Sequence, residues 1–550
     1  MTIVANEAGF PGPEEIEGFW AFDKMHAPRP ITPLASDLVV MTLAEGFTQA
    51  QAEFDAAIQV TNKMVNYYYY VSFHPLHDQA EAADRKIRYQ ATLAEKVPGI
   101  GHEWTNEWEP EIIVKNDAER TLDYTTLTDE QIPAKLVELE GRMLDFWRIH
   151  GRINFVLIAS SQYCDFYDEV MDPEDPTEAY HSIQGFETRS VAASRGLWRL
   201  SRIVRDSPAL KTLFETAEPA ERLDQLGSND EGRAFLDELH AYLGEFGWRS
   251  DAVYDIADVT WREDPTIPLG VLNSYVSLDD SASPEVVHER SVRTREQLLA
   301  KARAKLMSDP DKLARFDVLY DAAQYSNPLT ENHAFWIDQM YIAILRRFVL
   351  EIARRLVQKG LIVDASDVFY FYRDELLDTF SNGTNRKELL AQRRAEMAAW
   401  SLVTPPPVLG TPPPPEADPF MDAVTVRLLG ITPPDPTATQ HPDVLQGVPG
   451  SPGVVRGPVR VVRSLAQASV LEEGDIMVCE MTLPPWVPLF SVVSGVVADI
   501  GGVLSHCAIV AREFELPAVV GTMVGTTMLQ DGMIVEVDGI KGTVTVLERP

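Results

Sequence analysis

A single histidine near the C-terminal end of the chain stands where a side chain can perform covalent chemistry. His506 follows a β-branched apolar run at 492–497 and the glycine pair Gly501-Gly502, and a helix is predicted over 508–514. A strand, a glycine pair and a helix start leave backbone N–H groups free to face an anion. A histidine at this position can carry a phosphoryl group on a ring nitrogen, with the helix dipole favouring the added charge by about 0.3–1 kcal/mol.

The longer pattern around His506 distinguishes this reading from its alternative, a histidine that only caps a helix or hydrogen-bonds. GG-x-L-S-H-x-A-I-V-A-R-E-x-x-L-P-A-V-V-G, from Gly501 to Gly521, resembles the phosphohistidine signature of the swivelling domain in phosphoenolpyruvate synthase, pyruvate phosphate dikinase and rifampicin phosphotransferase. The resemblance continues upstream in SPGVVRGPVRVV at 451–462 and PPWVPLF at 484–490. It thus covers roughly the last hundred residues.

The resemblance implies that His506 is the phosphorylated residue. The residues that it implies as supports for the phosphohistidine are Gly501, Gly502, Ser505, Arg512 and Thr482. Two positions depart from the pattern: Cys507 replaces the usual alanine, and Leu483 replaces the aspartate that often precedes the proline. The polar contacts around the histidine are therefore expected to differ in detail.

The elements that must position this histidine divide at a proline-rich segment, TPPPVLGTPPPPEADP at 404–419. Such a sequence forms an extended spacer without a core of its own. We predict a mostly α-helical domain at 1–403, a linker at 404–440 and a C-terminal α/β swivelling phosphohistidine domain at 441–550, whose strands are short Val-rich runs. The fold class is therefore multidomain, and a histidine on a small domain behind a linker suits a part that travels between two sites.

Within the helical domain, the clearest helix is predicted at 335–359, where apolar residues recur every three or four positions before Gly360. The four tyrosines at 67–70 are interpreted as part of a helix, in which adjacent side chains face different directions, so only one or two of them could line a pocket. Prolines in residues 1–40 exclude regular helix and favour an extended segment. That segment lines a ligand cleft or packs on the surface, and both alternatives stay open.

Two acceptor-binding candidates, Trp248 and Arg249, come from a second resemblance, whereas Lys24 and His26 come from the proline-rich N-terminal segment and His333 from the stretch before the helix predicted at 335–359. EFGWRSDAVYDIADVTWREDP at 245–265 resembles the drug-binding region of rifampicin phosphotransferase, and QGFETRS at 184–190 and DVFYFYRDEL at 367–376 have weaker counterparts there. The helical domain is thus expected to bind the acceptor. The candidates are Lys24, His26, Trp248, Arg249 and His333. Each also fits a structural role as a capping histidine, a packed ring or a solvated cation.

Composition restricts the partners. The formal net charge of −35 argues against nucleic acid and against an anionic membrane surface, because both need clustered cations. Three cysteines without CxxC spacing indicate neither a disulfide nor a zinc site, and we expect no metal bound to this chain. The N-terminus does not resemble a signal peptide and no long apolar window occurs, so a cytoplasmic protein is expected.

The means of loading the histidine are not evident in the sequence. It contains no GxxxxGK[ST] loop, its N-terminal half does not resemble the nucleotide-binding domain of the related dikinases, and it ends at Pro550 without a phosphoenolpyruvate barrel. We expect a separate ATP-binding, ATP-grasp-like subunit that uses ATP and Mg²⁺. The resemblance implies AMP and phosphate as its products.

Three functions remain open. The chain resembles the histidine-bearing subunit of phenylphosphate synthase and of 4-hydroxyacetophenone-type aryl kinases, which implies a kinase of aromatic catabolism acting on a phenol or a hydroxylated aromatic ketone. The second function is phosphorylation of a hydroxyl on an antibiotic or other natural product. The third is a non-catalytic phosphocarrier or regulatory partner, which would not need the 400 or so residues of the helical domain.

Overall fold

The structure, a computed structural model, describes residues 9–12, 15–56, 58–75, 79–251, 253–411, 419–430 and 443–550. Their contacts define two compact units. The first unit combines residues 1–155, 252–258 and 336–416, and the second unit combines residues 156–251, 259–335 and 417–550. The predicted limits at 403 and 440 are not the limits of these units and stay a prediction. In the described part of the chain, no helix is long and apolar enough to cross a bilayer.

The first unit is mainly helical. Its longer helices are Thr42–Glu53, Gln79–Lys96, Glu109–Thr121, Gln131–Ile153, Ile342–Gln358, Arg373–Asn382 and Lys387–Trp400. The helix predicted at 335–359 is confirmed over Ile342–Gln358, after a π-helical stretch at Ala334–Tyr341. It ends because Gly360 takes a left-handed conformation at φ +66°, which a residue with a side chain rarely adopts.

The helical interpretation of the four tyrosines is wrong, because they lie at a β-hairpin. Strands Ile58–Val65 and Tyr68–Pro75 pair antiparallel, and the turn residues Asn66 and Tyr67 both have positive φ. This is the geometry of a tight two-residue hairpin turn, and it places Tyr68 to Tyr70 in a buried strand. The aromatic run therefore forms sheet rather than helix.

This hairpin belongs to a four-stranded antiparallel sheet of the first unit. Its strands lie in the order Ile58–Val65, Tyr68–Pro75, Phe19–Phe22 and Val408–Gly410. The last two strands come from segments predicted to be irregular. The N-terminal segment is also not helix-free, since Pro33–Ala35 begins a helix that continues as a π-helix at Ser36–Met41. Proline is compatible with the first turn of a helix, where its missing N–H is not needed.

The helical part of the second unit contains the segment predicted as helix at 285–307, observed as Pro284–Leu306. Ser283 caps this helix by accepting a hydrogen bond from the backbone N–H of Val286. The other helices are Val156–Met171, Glu178–His181, Arg189–Asp206, Pro208–Thr216, Pro219–Leu226, Asp230–Phe246, Thr266–Val276, Pro310–Ala323 and Ser326–His333.

The C-terminal part of the second unit is built on an eight-stranded mixed sheet, as the Val-rich runs predict. The strand order is Val444–Gln446, Thr543–Glu548, Ile534–Asp538, Val454–Val461, Ile476–Cys479, Gly495–Ala498, Ala518–Val520 and Val448–Ser451. The fourth to seventh strands of this order are parallel. Helix His506–Glu513 follows the strand Gly495–Ala498 and precedes Ala518–Val520, so it connects two parallel strands.

The predicted linker is only partly extended. Residues 412–418 and 431–440 of it lie outside the described residues. Between them, Pro419–Asp422 is helical and Ala423–Leu428 is a π-helix. Ala423 is fully buried in a core cluster of the second unit that also contains Tyr163, Phe316 and Leu504. Residues 419–428 of the predicted linker are thus helical and pack against a core, while the linker limits stay a prediction.

Candidate functional site

His506 is the first residue of a short helix, and one of its ring nitrogens is bound by a carboxylate. Ser505 caps the helix, its hydroxyl accepting from the N–H of Ala508 at 3.4 Å. The Nδ1 atom of His506 lies 2.6 Å from Oε1 of Glu331. The other carboxylate oxygen of Glu331 accepts a 2.6 Å hydrogen bond from the hydroxyl of Ser190. The imidazole is thus oriented by a carboxylate that is itself held in place.

Glu331 is charged although it is buried. Only 3% of the residue is exposed. Burial raises the pKa of this carboxyl, but the His506 ring, the hydrogen bond from Ser190 and the nearby Arg249 lower it more, so that the pKa lies below its usual range. A buried anion on Nδ1 favours the tautomer with its proton on that atom and a lone pair on Nε2.

The Nε2 atom of His506 is buried and has no hydrogen-bond partner within the ranges that the structure describes. Leaving a buried polar atom unpaired costs about 1–3 kcal/mol, and such atoms in native proteins call for an explanation in function. The two ring nitrogens therefore differ: Nδ1 is engaged and Nε2 remains available for a covalent bond.

Arg249, one of the acceptor-binding candidates, supplies positive charge to this site. Its side chain is fully buried, donates to the backbone carbonyl of Arg189 at 3.2 Å, and lies 4.7 Å from the ring centre of Phe335. Burial lowers the pKa of its guanidinium to about 10, so the group still carries its charge at neutral pH. The structure thus brings Arg249 and His506 together through Glu331.

The other candidates have different surroundings. His333 is buried, and its Nδ1 lies 2.9 Å from the carbonyl of Leu329. Trp248 packs under the guanidinium of Arg262 and donates to the carbonyl of Gly244. These contacts lie within the second unit and do not test a role in acceptor binding. Lys24 and His26 belong to the first unit, where the backbone N–H of Lys24 donates to the carbonyl of Phe22 at 2.9 Å.

Sequence reasoning missed Glu331 and Ser190. Ser190 ends the stretch QGFETRS, and Glu331 lies two residues before the candidate His333. The signal in the sequence was an acidic residue among apolar positions of a helix. An acidic residue is rarely buried there without a partner. The identity of that partner, 175 positions away, had no local signal.

The backbone N–H groups of the glycine pair are not free. Gly501 donates to the carbonyl of Leu429 at 3.2 Å, and Gly502 donates to the carbonyl of Leu428 at 2.8 Å. A Cβ atom on Gly502 would lie 2.4 Å from the carbonyl oxygen of Arg427. The small size of Gly502 therefore admits the segment 427–429, rather than a phosphate donor, in this arrangement.

The same segment is anchored to the helical part of the second unit. The guanidinium of Arg427 pairs with Asp165 at 2.6 Å and donates to the hydroxyl of Tyr180 at 3.1 Å. Its own backbone carbonyl accepts from the N–H of Leu504 at 2.7 Å. Arg427 thus connects the helical part with the loop that precedes His506.

We predict that Gly502→Ala destabilises the second unit by about 1–3 kcal/mol, since the added methyl group overlaps backbone atoms that have little freedom to move. Thermal unfolding measures the effect. The matched control is Gly244→Ala, where a Cβ meets nothing within 4 Å and a helix interior favours alanine by about 0.5–1 kcal/mol. Equal melting temperatures for Gly502→Ala and the unmodified protein would contradict the packing described.

Arg512 and Thr482, which the resemblance also implies as supports of the phosphohistidine, contact groups other than His506. Arg512 is buried, donates to the carbonyl of Gly450 at 2.8 Å and stacks over the ring of Tyr180; burial lowers its pKa to about 10. Thr482 is buried beside Cys507. Burial raises the pKa of that thiol to about 12, which makes it an inert packing residue.

A second buried carboxyl, that of Glu513, lies at the end of the helix that His506 begins. Glu513 is seven positions after His506, which places the two side chains on the same face of the helix. Burial and the charge of Glu331 raise the pKa of Glu513 to about 8, against the opposing effect of Arg512. Its side chain lines a small cavity with His288. Glu513 is therefore mostly uncharged at neutral pH.

This shift predicts a pH-dependent gain from Glu513→Gln. Because the folded protein binds the Glu513 proton more tightly than the unfolded chain, its stability falls as pH rises from the ordinary pKa of 4.5 through about 8. The glutamine variant lacks this titration. Its melting temperature relative to the unmodified protein should rise between pH 5 and pH 8, whereas the exposed control Glu289→Gln should show no such trend. A constant difference would show that Glu513 is charged when buried.

Two family models match the second unit. "Rifampicin phosphotransferase fourth domain" matches residues 163–331, which contain both Ser190 and Glu331. "PEP-utilising enzyme, mobile domain" matches residues 471–542, which contain His506. The predicted resemblance to the phosphoenolpyruvate synthase and rifampicin phosphotransferase group is confirmed.

Curated relatives extend the similarity to most of the chain. Chondramide synthase cmdD of Chondromyces crocatus is 32% identical over 549 residues, which are 97% of this chain and 14% of that protein. The uncharacterized phosphotransferase YvkC of Bacillus subtilis (strain 168) is 28% identical over 540 residues, 97% of this chain and 62% of that protein. The phosphoenolpyruvate synthase of Aeropyrum pernix is 48% identical over 114 residues, 20% of this chain and 14% of that protein. The chain thus spans less than two thirds of each of these relatives.

Proposed function

Because the chain is related to phosphoenolpyruvate synthase and rifampicin phosphotransferase, we propose that it is a phosphotransferase that carries a phosphoryl group on His506 and transfers it to a hydroxyl of a small molecule. The observation that carries the proposal is the 2.6 Å contact between Nδ1 of His506 and Glu331, together with the unpartnered Nε2. The two family models support it, since each covers one side of this contact.

The transfer step needs a nitrogen that accepts phosphorus and later releases it. In the loaded state, phosphorus is bonded to Nε2 while the Nδ1 proton is held by Glu331. The acceptor oxygen attacks phosphorus in line, the P–N electron pair returns to Nε2, and the hydroxyl proton leaves to a base. Glu331 contributes by fixing the ring and by stabilising the proton on Nδ1, so that it is a positioning residue.

Arg249 supports the same step through its charge. A phosphoryl group brings two negative charges close to the carboxylate of Glu331, and a buried guanidinium nearby reduces their repulsion. Ser190 keeps the second oxygen of Glu331 occupied, which prevents the carboxylate from rotating away. Gly501, Gly502, Ser505, Arg512 and Thr482 then act on this site through backbone and packing.

The phosphoryl group is proposed to come from ATP and Mg²⁺ on a separate ATP-grasp-like subunit, with AMP and phosphate as products. The groups around His506 are a carboxylate, a hydroxyl and a buried arginine, and this set suits a phosphorylated imidazole better than a nucleotide with its metal ion. The ATP chemistry is thus assigned to the partner.

The proposed acceptor is a phenol or a hydroxylated aromatic ketone, as the resemblance to aryl kinase subunits implies. The match to the rifampicin phosphotransferase fourth domain favours a second candidate, the hydroxyl of a bulky natural product. The two acceptors differ in size and are separated by offering phenol, 4-hydroxyacetophenone and rifampicin to the same loaded protein. His333 and the first-unit residues Lys24 and His26 stay candidates for acceptor binding.

The second half-reaction is testable without the ATP-binding partner. Phosphoramidate phosphorylates accessible histidines directly, so the chain is loaded with it, freed of reagent and mixed with each acceptor. Transfer is followed as loss of protein-bound phosphate and formation of the phosphate ester. We predict that His506→Ala transfers nothing, and that Glu331→Gln transfers about 10- to 100-fold more slowly while still taking up phosphate.

Glu289→Gln, an exposed carboxylate in the second unit, is the matched control and should transfer at the normal rate. Undiminished transfer by His506→Ala would overturn the proposed function. A normal rate for Glu331→Gln would leave the phosphohistidine in place but remove the positioning role. If His506 is phosphorylated and no acceptor is used, the phosphocarrier alternative is favoured instead.

A further inference from the structure

The first unit contains a cavity of about 270 Å³, and its wall includes His26, one of the acceptor-binding candidates. Its walls come from residues 26–31, from the segment around Tyr254, and from the helix Lys387–Trp400 with the preceding Tyr370. All of these residues belong to the first unit. The volume suits a ligand of one or two rings, at the lower end of small-molecule sites.

One wall of this cavity carries a histidine–aspartate pair. Nδ1 of His26 lies 2.9 and 3.0 Å from the two carboxylate oxygens of Asp23, which also accepts from the His26 backbone N–H. The imidazole stacks on Tyr254 with ring centres 4.9 Å apart and 17° between the planes. With Nδ1 engaged and one face covered, Nε2 is the atom that His26 can offer to a ligand.

The wall that holds His26 is fixed by several contacts. Thr32 donates to the carboxylate of Asp255 from its backbone N–H at 2.9 Å and from its hydroxyl at 2.6 Å. Arg29 pairs with Asp258 at 3.0 Å. Pro28 and Pro30 restrict the backbone between these points. The segment therefore loses little conformational entropy when a ligand binds.

Most of the remaining lining is apolar or aromatic, with Ser401 and Arg394 as further polar residues. Met397 and Ala398 on the helix face the cavity, together with Ile31 and Tyr370. The thioether and ring surfaces suit an aromatic ligand, because sulfur–aromatic and ring–ring contacts are both favourable. The cations at the rim are neutralised, Arg29 by Asp258 and Arg394 by Asp367, so a strongly charged ligand gains little there.

We propose that this cavity is a binding site for a small aromatic hydroxy compound, with the ring between Tyr254 and Met397 and the hydroxyl on Nε2 of His26. A hydroxyl suits this nitrogen in either protonation state, since it accepts from N–H of the charged ring or donates to the lone pair of the neutral one. The ligand class rests on the acceptor of the proposed function, whereas binding itself takes place within the first unit and does not need phosphoryl transfer by His506.

The test uses the full chain and three probes: phenol, anisole, in which the hydroxyl is methylated, and cyclohexanol, which has no aromatic ring. Binding is measured by calorimetry and by ligand-observed NMR. Phenol is expected to bind at least tenfold more tightly than either of the other probes. Replacing His26 by glutamine should weaken phenol about tenfold and leave anisole unchanged, because the variant removes the ring nitrogen that contacts the hydroxyl.

A pair of neighbouring variants locates the site. Ala398 lines the cavity and is exposed on the helix, so Ala398→Trp fills the mouth without disturbing the core. Ala399 is also exposed but does not line the cavity, and Ala399→Trp is the matched control. Phenol binding should be lost in the first variant and retained in the second.

Unchanged phenol binding in Ala398→Trp, equal binding of all three probes, or no binding of phenol at millimolar concentration would each overturn the proposal. His506→Ala should bind phenol normally. Loss of phosphoryl transfer with retained phenol binding would concern only the second unit. The variant therefore distinguishes failure of the proposed function from failure of the proposed binding site.

Discussion

The organisation of the second unit depends on one contact, the hydrogen bond between Nδ1 of His506 and the carboxylate of Glu331. A buried carboxylate is tolerated only with partners, and Glu331 has the imidazole, the hydroxyl of Ser190 and the charge of Arg249. The contact also makes the two nitrogens of His506 unequal. The chemistry proposed for this chain follows from that difference.

The surroundings of this contact explain how it is maintained. The segment 423–430 covers the glycine pair and connects it through Arg427 to the helical part of the unit. At the end of the same helix, Glu513 remains mostly uncharged and adds no second anion beside Glu331. The hydrogen bonds to the segment 423–430 and the uncharged state of Glu513 thus keep His506 where Glu331 can orient its ring.

Much of the C-terminal fold followed from local sequence, because Val-rich runs and the glycine pair before His506 act over a few residues. The four tyrosines at 67–70 were misassigned because an aromatic run has no period, and only the turn at Asn66 indicates a hairpin. Glu331 was missed because its partner is 175 positions distant. The backbone N–H groups of Gly501 and Gly502 were expected to be free. Nothing in the sequence of the predicted linker indicated a helical segment whose carbonyl groups would accept hydrogen bonds from them.

The position of the phosphoryl group on the imidazole tests the central claim most directly. The chain, labelled with ¹⁵N-histidine, is loaded by the proposed ATP-binding subunit and examined by ³¹P and ¹H–¹⁵N NMR, with peptide mapping to identify the modified residue. The account predicts a single phosphohistidine at His506 with phosphorus on Nε2. Phosphorus on Nδ1, or a loaded chain in which His506 is unmodified, would contradict it.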